Sequence, residues 1–69
     1  MDTNIVEVVR KYLDDPDNMA LFLEAIRVAR NCTRENLAEL WDAFHLIPQK
    51  FSLRGLIENI WADLHNPVQ

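Results

Sequence analysis

From Met19 to Val28 the chain reads Met-Ala-Leu-Phe-Leu-Glu-Ala-Ile-Arg-Val, with only Glu24 and Arg27 polar. Wound at 3.6 residues per turn, Met19, Leu21, Phe22, Leu23, Ala25, Ile26, Val28 and Ala29 cover an arc of about 220°, leaving a narrow stripe of Glu24, Arg27 and Asn31. A helix so apolar has to be surrounded, by its own chain or by a partner. The run therefore predicts a hub that the other elements enclose.

Three further segments can supply that enclosure. Ile5, Val8, Val9 and Tyr12 fall at i, i+3, i+4 and i+7, with Asn4, Glu7, Arg10 and Lys11 opposite, so residues 4–13 read as a helix despite their β-branched side chains. Asn4 and Glu7 form a candidate capping pair. Asp15 is placed to cap the apolar helix, with Pro16 at its first position, giving a second helix over about 16–30. Asn31-Cys32-Thr33 breaks the chain; Asn31 suits a left-handed helix end and Thr33 suits a cap. Leu37, Leu40, Trp41 and Phe44 predict a third helix over about 34–46, which Pro48 stops. Ile47 and Phe51 in the connector should still point inward. Ser52 is placed to cap a fourth helix over about 53–65, striped by Leu53, Leu56, Ile57, Ile60, Trp61 and Leu64, with Asn66-Pro67 ending it and Val68-Gln69 as a tail.

The expectation is one all-α domain over residues 1–69, a compact four-helix mini-domain. Sixty-nine residues lie near the size at which a single core stabilises only marginally. The lone Cys32 rules out an internal disulfide, and no ligand spacing suggests a metal or other cofactor. With 49% apolar residues, self-association into a homodimer is the expected supplement. No apolar stretch approaches the ~20 residues of a membrane span, and the start Met-Asp-Thr-Asn lacks a signal peptide's positive charge. A cytoplasmic location fits the single thiol. The net charge of −4 is spread over both halves of the chain, which weighs against a dedicated phosphate-backbone binder.

No residue pattern carries recognisable catalytic chemistry, so a non-enzymatic role is expected. Cys32 lies at a helix junction, where a dipole could favour a thiolate, or it simply fills a corner. His45 follows Asp42 by three residues and Trp41 by four, which suggests a histidine bonded to Asp42 and touching the indole. His65 suits a helix C-terminus. Glu35, Glu39 and Asp42, at i, i+4 and i+7, make an acidic stripe that can be a solvated face or a dock for a basic partner. Trp41 and Trp61 lie at the edges of their apolar stripes, where tryptophans serve as core lids or interface anchors. Arg54, seven residues before Trp61, lies on the same flank.

Ser52 at a helix start followed by Leu53, in a short acidic helical chain, looks like an acyl carrier protein. That family's Asp-Ser-Leu signature opens the second helix, whereas Phe51 precedes Ser52 and the helix is the fourth, so no phosphopantetheine site follows. The stretch from Tyr12-Leu13-Asp14 to Phe22-Leu23-Glu24-Ala25 is similar to the N-terminal part of small antitoxin repressors, over less than a third of the chain. This resemblance implies a helix-turn-helix at the Arg30–Arg34 junction, with Ala38 and Trp41 inward. The turn lacks glycine, and Glu35, Glu39 and Asp42 would face the DNA groove.

The sequence thus points to a small interaction module, an adaptor, inhibitor or regulatory subunit, binding a protein partner or itself through a helix face. Trp41 and Trp61 would form the contact core, with Glu35, Glu39, Asp42 or Arg54 setting orientation. The alternative is a helix-turn-helix DNA-binding regulator of phage, plasmid or antitoxin type, whose phosphate contacts would be Arg27, Arg30, Arg34, Lys50 and Arg54.

Overall fold

The structure, a computed structural model, describes residues 4–66. Its helices are α1 (Ile5–Asp14), α2 (Met19–Arg30), α3 (Leu37–Leu46), which a 3₁₀ turn at Arg34–Asn36 leads into, and α4 (Ser52–His65). The all-α, four-helix expectation holds among the described residues. Pro67 and the Val68-Gln69 tail lie outside them.

The helix ends follow from local hydrogen bonding and correct several expectations. Asn4 caps α1, its side-chain oxygen accepting from the Val6 N–H at 2.7 Å, while Glu7 contributes only first-turn charge. α2 begins at Met19, three residues later than expected. Asp15 closes α1 instead, donating its N–H to the Tyr12 carbonyl, and Asp15-Pro16-Asp17-Asn18 forms a turn closed by the Asn18 N–H on the Asp15 carbonyl at 3.0 Å. Asp and Pro suit the first two positions of such a turn. Asn18 then caps α2 by accepting from the Ala20 N–H at 3.0 Å.

Asn31 does not turn left-handed: it stays in the right-handed region at φ −89°, ψ −1°. The Cys32 N–H, bonded to the Ala29 carbonyl, finishes that turn without a positive φ. Thr33 stands at the cap position as expected, but what it opens is a 3₁₀ turn ahead of the α-helix. Asn36 Oδ1 accepts from both the Thr33 N–H, at 2.8 Å, and the Thr33 hydroxyl, at 3.3 Å, which tightens residues 34–36 into the 3₁₀ turn. Ser52 is the first helical residue of α4, not its cap. Phe51 occupies the cap position in an extended conformation; its side chain has no oxygen with which to cap, and its ring makes an edge contact with Tyr12 at 5.8 Å. Ile47 is fully buried and Phe51 half-buried, both inward as the sequence suggests.

The short connectors make two helical hairpins, α1 with α2 and α3 with α4. The hairpins stack so that α1 packs on α3 and α2 on α4, while the diagonal pairs barely approach. The core lies between them, built on Ile5, Val9, Leu40, Ile47, Leu53 and Ile57. The backbone spans 38 × 30 × 16 Å. Two helix layers spaced 8–10 Å apart, each with a Cα radius of about 2.3 Å, already account for a thickness of about 13–15 Å. No helix can be enclosed in such a slab, so α2 is not a hub.

What α2 buries instead is its small residues, Ala25 and Ala29, with Val28. Small side chains let neighbouring backbones approach closely. Its larger ones are left part-way out or wholly out: Leu21, Phe22 and Ile26 are half-buried, while Met19 and Leu23 are 63% and 56% exposed. On α4, Leu56 is exposed too, on the flank turned away from Trp61 and Arg54.

Candidate functional site

Trp41 on α3 and Trp61 on α4 project from facing flanks of the second hairpin, and their ring centroids lie 4.9 Å apart. Phe44 is the floor beneath them, buried, 5.3 Å from Trp41 and 5.9 Å from Trp61. An imidazole flanks each indole. His45 lies 4.3 Å from Trp41, and His65 stacks on Trp61 at 4.6 Å with the rings only 17° from parallel. Trp41 remains 45% exposed and both histidines are exposed, so the cluster is an open aromatic surface with its base in the core.

The geometry fixes one tautomer. Nδ1 of His45 lies 2.9 Å from the Trp41 carbonyl, which can only accept, so Nδ1 carries the proton and Nε2 of the neutral ring is the free acceptor. The expected bond from His45 to Asp42 is absent, because the backbone carbonyl one turn back captures the ring. Among the described residues, no group of three or more His, Cys, Asp or Glu is placed to share a metal ion.

Arg54 approaches the Phe44 ring of the same cluster. Its guanidinium lies 5.9 Å from the Phe44 ring, and Nη1 donates to the Ile47 carbonyl at 2.9 Å. That bond satisfies a carbonyl left open at the end of α3, so Arg54 acts as a brace between α3 and α4. The acidic residues are elsewhere. Glu39 and Asp42 line a shallow groove between α1 and α3 with Asn4, Val6, Glu7 and Arg10. One oxygen of Glu39, Oε1, is covered there without a hydrogen-bond partner. Glu35 sits exposed in the 3₁₀ turn, whose tighter winding breaks the i, i+4 register with Glu39. The acidic stripe is thus divided, and the structure brings together Trp41 and Trp61, with Arg54 against the Phe44 ring they share, but leaves the acids on the other flank of α3.

Cys32 donates its thiol hydrogen to the Val28 carbonyl at 3.3 Å. Burial pushes its pKa up, and the nearby Glu39 charge adds to the rise. It sits at the negative end of α2, so the dipole does not favour a thiolate there.

The part sequence reasoning missed is the stacking of His65. Trp41-x-x-x-His45 and Trp61-x-x-x-His65 repeat one i, i+4 pairing on two helices, the spacing that places side chains on a common face. That doubled spacing was the available signal. Comparison with protein-family models, curated proteins and solved structures finds no match for this chain. No described helix is long and apolar enough to cross a membrane.

Proposed function

We propose that this chain is a non-enzymatic interaction module, an adaptor, inhibitor or regulatory subunit, that docks a protein partner through the Trp41–Trp61 surface and also associates with itself. The observation that carries the docking reading is the exposed Trp41 ring set against the half-buried Trp61 ring over a buried Phe44 floor. Rigid aromatic anchors of this kind lose little conformational entropy on binding and dominate interface energetics, and the two imidazoles supply a polar rim. Arg54 supports the reading by holding the end of α3 against α4.

The DNA-binding alternative gains no support from the arrangement of the basic residues. Arg54 is spent on the Ile47 carbonyl, and Arg27 is paired with Glu24 at 2.9 Å.

The test is capture from an extract of the native host by immobilised protein, with mass spectrometry comparing the original chain, Trp41→Ala and Trp61→Ala. The expected result is a partner retained by the original chain and lost by both variants while their circular dichroism is unchanged. Equal capture by folded variants would sink the docking surface. A salt-dependent shift of duplex DNA would favour the alternative.

A further inference from the structure

The exposed flank of α2 has the form of a self-pairing seam. Met19, Leu23, Ile26 and Arg30 follow one another at spacings of 4, 3 and 4, the a/d rhythm of a helix built to lie along another. Met19 and Leu23 are the two most exposed large apolar side chains among the described residues, Ile26 is half-buried and Arg30 is exposed. The helix buries alanines and presents larger side chains, the reverse of what an element with no further partner should do.

Charge then selects the occupant and its orientation. Asp15 and Asp17 lie just before α2, while Arg30 stands in its last turn. The one ion pair among the described residues joins Glu24 to Arg27, so Asp15, Asp17 and Arg30 hold no such partner among them. One end of the seam is acidic and the other basic. A second copy laid antiparallel sets acidic end on basic end and opposes the two helix dipoles. A parallel copy would set Arg30 beside Arg30.

We infer that the exposed face of α2 is the contact for a second copy of this chain, joined antiparallel about a two-fold axis that passes between Leu23 and Ile26. Leu23 of each copy lies against Ile26 of the other, and Met19 lies under the stem of Arg30, whose guanidinium reaches the opposite Asp15 and Asp17. The contact is isologous and closes at two copies, leaving Trp41 and Trp61 outside it. It rests on the self-association included in the proposed function, and it names the seam.

Sedimentation equilibrium of the full chain over micromolar to millimolar concentration tests it. The original chain is expected to dimerise, and Leu23→Glu to raise the dissociation constant about a hundredfold. Because Leu23 is mostly exposed, its replacement leaves the fold intact, as circular dichroism will check. Orientation is read in a Cys32→Ser background: Met19→Cys mixed with Arg30→Cys should form a disulfide between copies under mild oxidation, and Met19→Cys alone should not. Self-linking of Met19→Cys in preference to the mixed pair would overturn the antiparallel arrangement. A dimer indifferent to Leu23→Glu would overturn the seam while leaving self-association standing. A monomer at all concentrations would remove both without touching the Trp41–Trp61 docking reading, which has its own variants.

Discussion

Phe44 is buried against Trp41, Trp61 and His45, whereas Trp41 itself keeps nearly half its surface in water. Removing the floor leaves a cavity that the slab cannot close, and removing the exposed ring forfeits only part of a contact. Phe44→Ala should therefore cost about 3–5 kcal/mol in urea unfolding, and Trp41→Ala about 1–2 kcal/mol. Similar losses for the two would mean that Trp41 is a core lid and no anchor. Cys32 supplies a second expectation at this scale. Its folded pKa is raised above the ordinary 9.0 by burial and by Glu39, so the folded state holds the thiol proton longer than the unfolded chain does. That contribution to stability is complete below 9.0 and is lost as pH rises through the folded value. The stability of the original chain relative to Cys32→Ser should accordingly fall as pH is raised above 9.0, measured from urea midpoints at matched ionic strength. A rise over that interval would mean that the folded pKa is depressed.

The helices themselves were legible because their apolar periods are clean: the buried residues of α1, Ile5, Val8, Val9 and Tyr12, are the same four that fix its stripe. Their ends were less so. At Asp15-Pro16-Asp17-Asn18 the sequence places the cap of α2 at Asp15 whereas Asn18 takes it, since period alone does not locate the first helical residue. The choice fell to Asn18 because Pro16 serves the turn better than a first helical position. Asn18→Ala should then destabilise the fold by about 1 kcal/mol, while Asp15→Ala, which removes the cap that a start at Pro16 needs, should cost less, about 0.5 kcal/mol. The reverse order in thermal or urea unfolding would restore the earlier helix start. Gly55 offers a gain. It is exposed within α4, and a Cβ placed there would meet nothing within 4 Å. Gly55→Ala is expected to stabilise by about 0.5–1 kcal/mol through the lower backbone entropy of the unfolded chain. A loss of stability would mean that the added methyl group meets a neighbour on α4's outer face.

At the scale of the molecule, the apolar arc of about 220° on α2 by itself predicts a surrounding shell. The angular width of a stripe reports how much surface seeks cover and does not report how many neighbours the chain can provide. Short connectors commit consecutive helices to hairpins, two hairpins make a slab 16 Å thick, and every helix in it has an open side. The Trp41–Trp61 pairing was half legible for a related reason: each indole's position on a stripe edge follows from its own helix, but their meeting depends on the α3–α4 packing angle. The open side of α2 links architecture to stability. A chain of 69 residues gains little margin from its own core, and burial of Met19 and Leu23 in the proposed dimer would add to it. If unfolding releases two chains from one dimer, each tenfold rise in concentration adds about 1.4 kcal/mol per dimer, or ~0.7 kcal/mol per chain. At about 4–8 °C per kcal/mol for a domain of this size, the thermal midpoint should climb roughly 3–6 °C per decade of concentration. Leu23→Glu should flatten that dependence and lower the midpoint at high concentration toward the value at low concentration. Scanning calorimetry over two decades reads both effects; a midpoint independent of concentration in the original chain would show that the slab is stable by itself, with the α2 flank left in water.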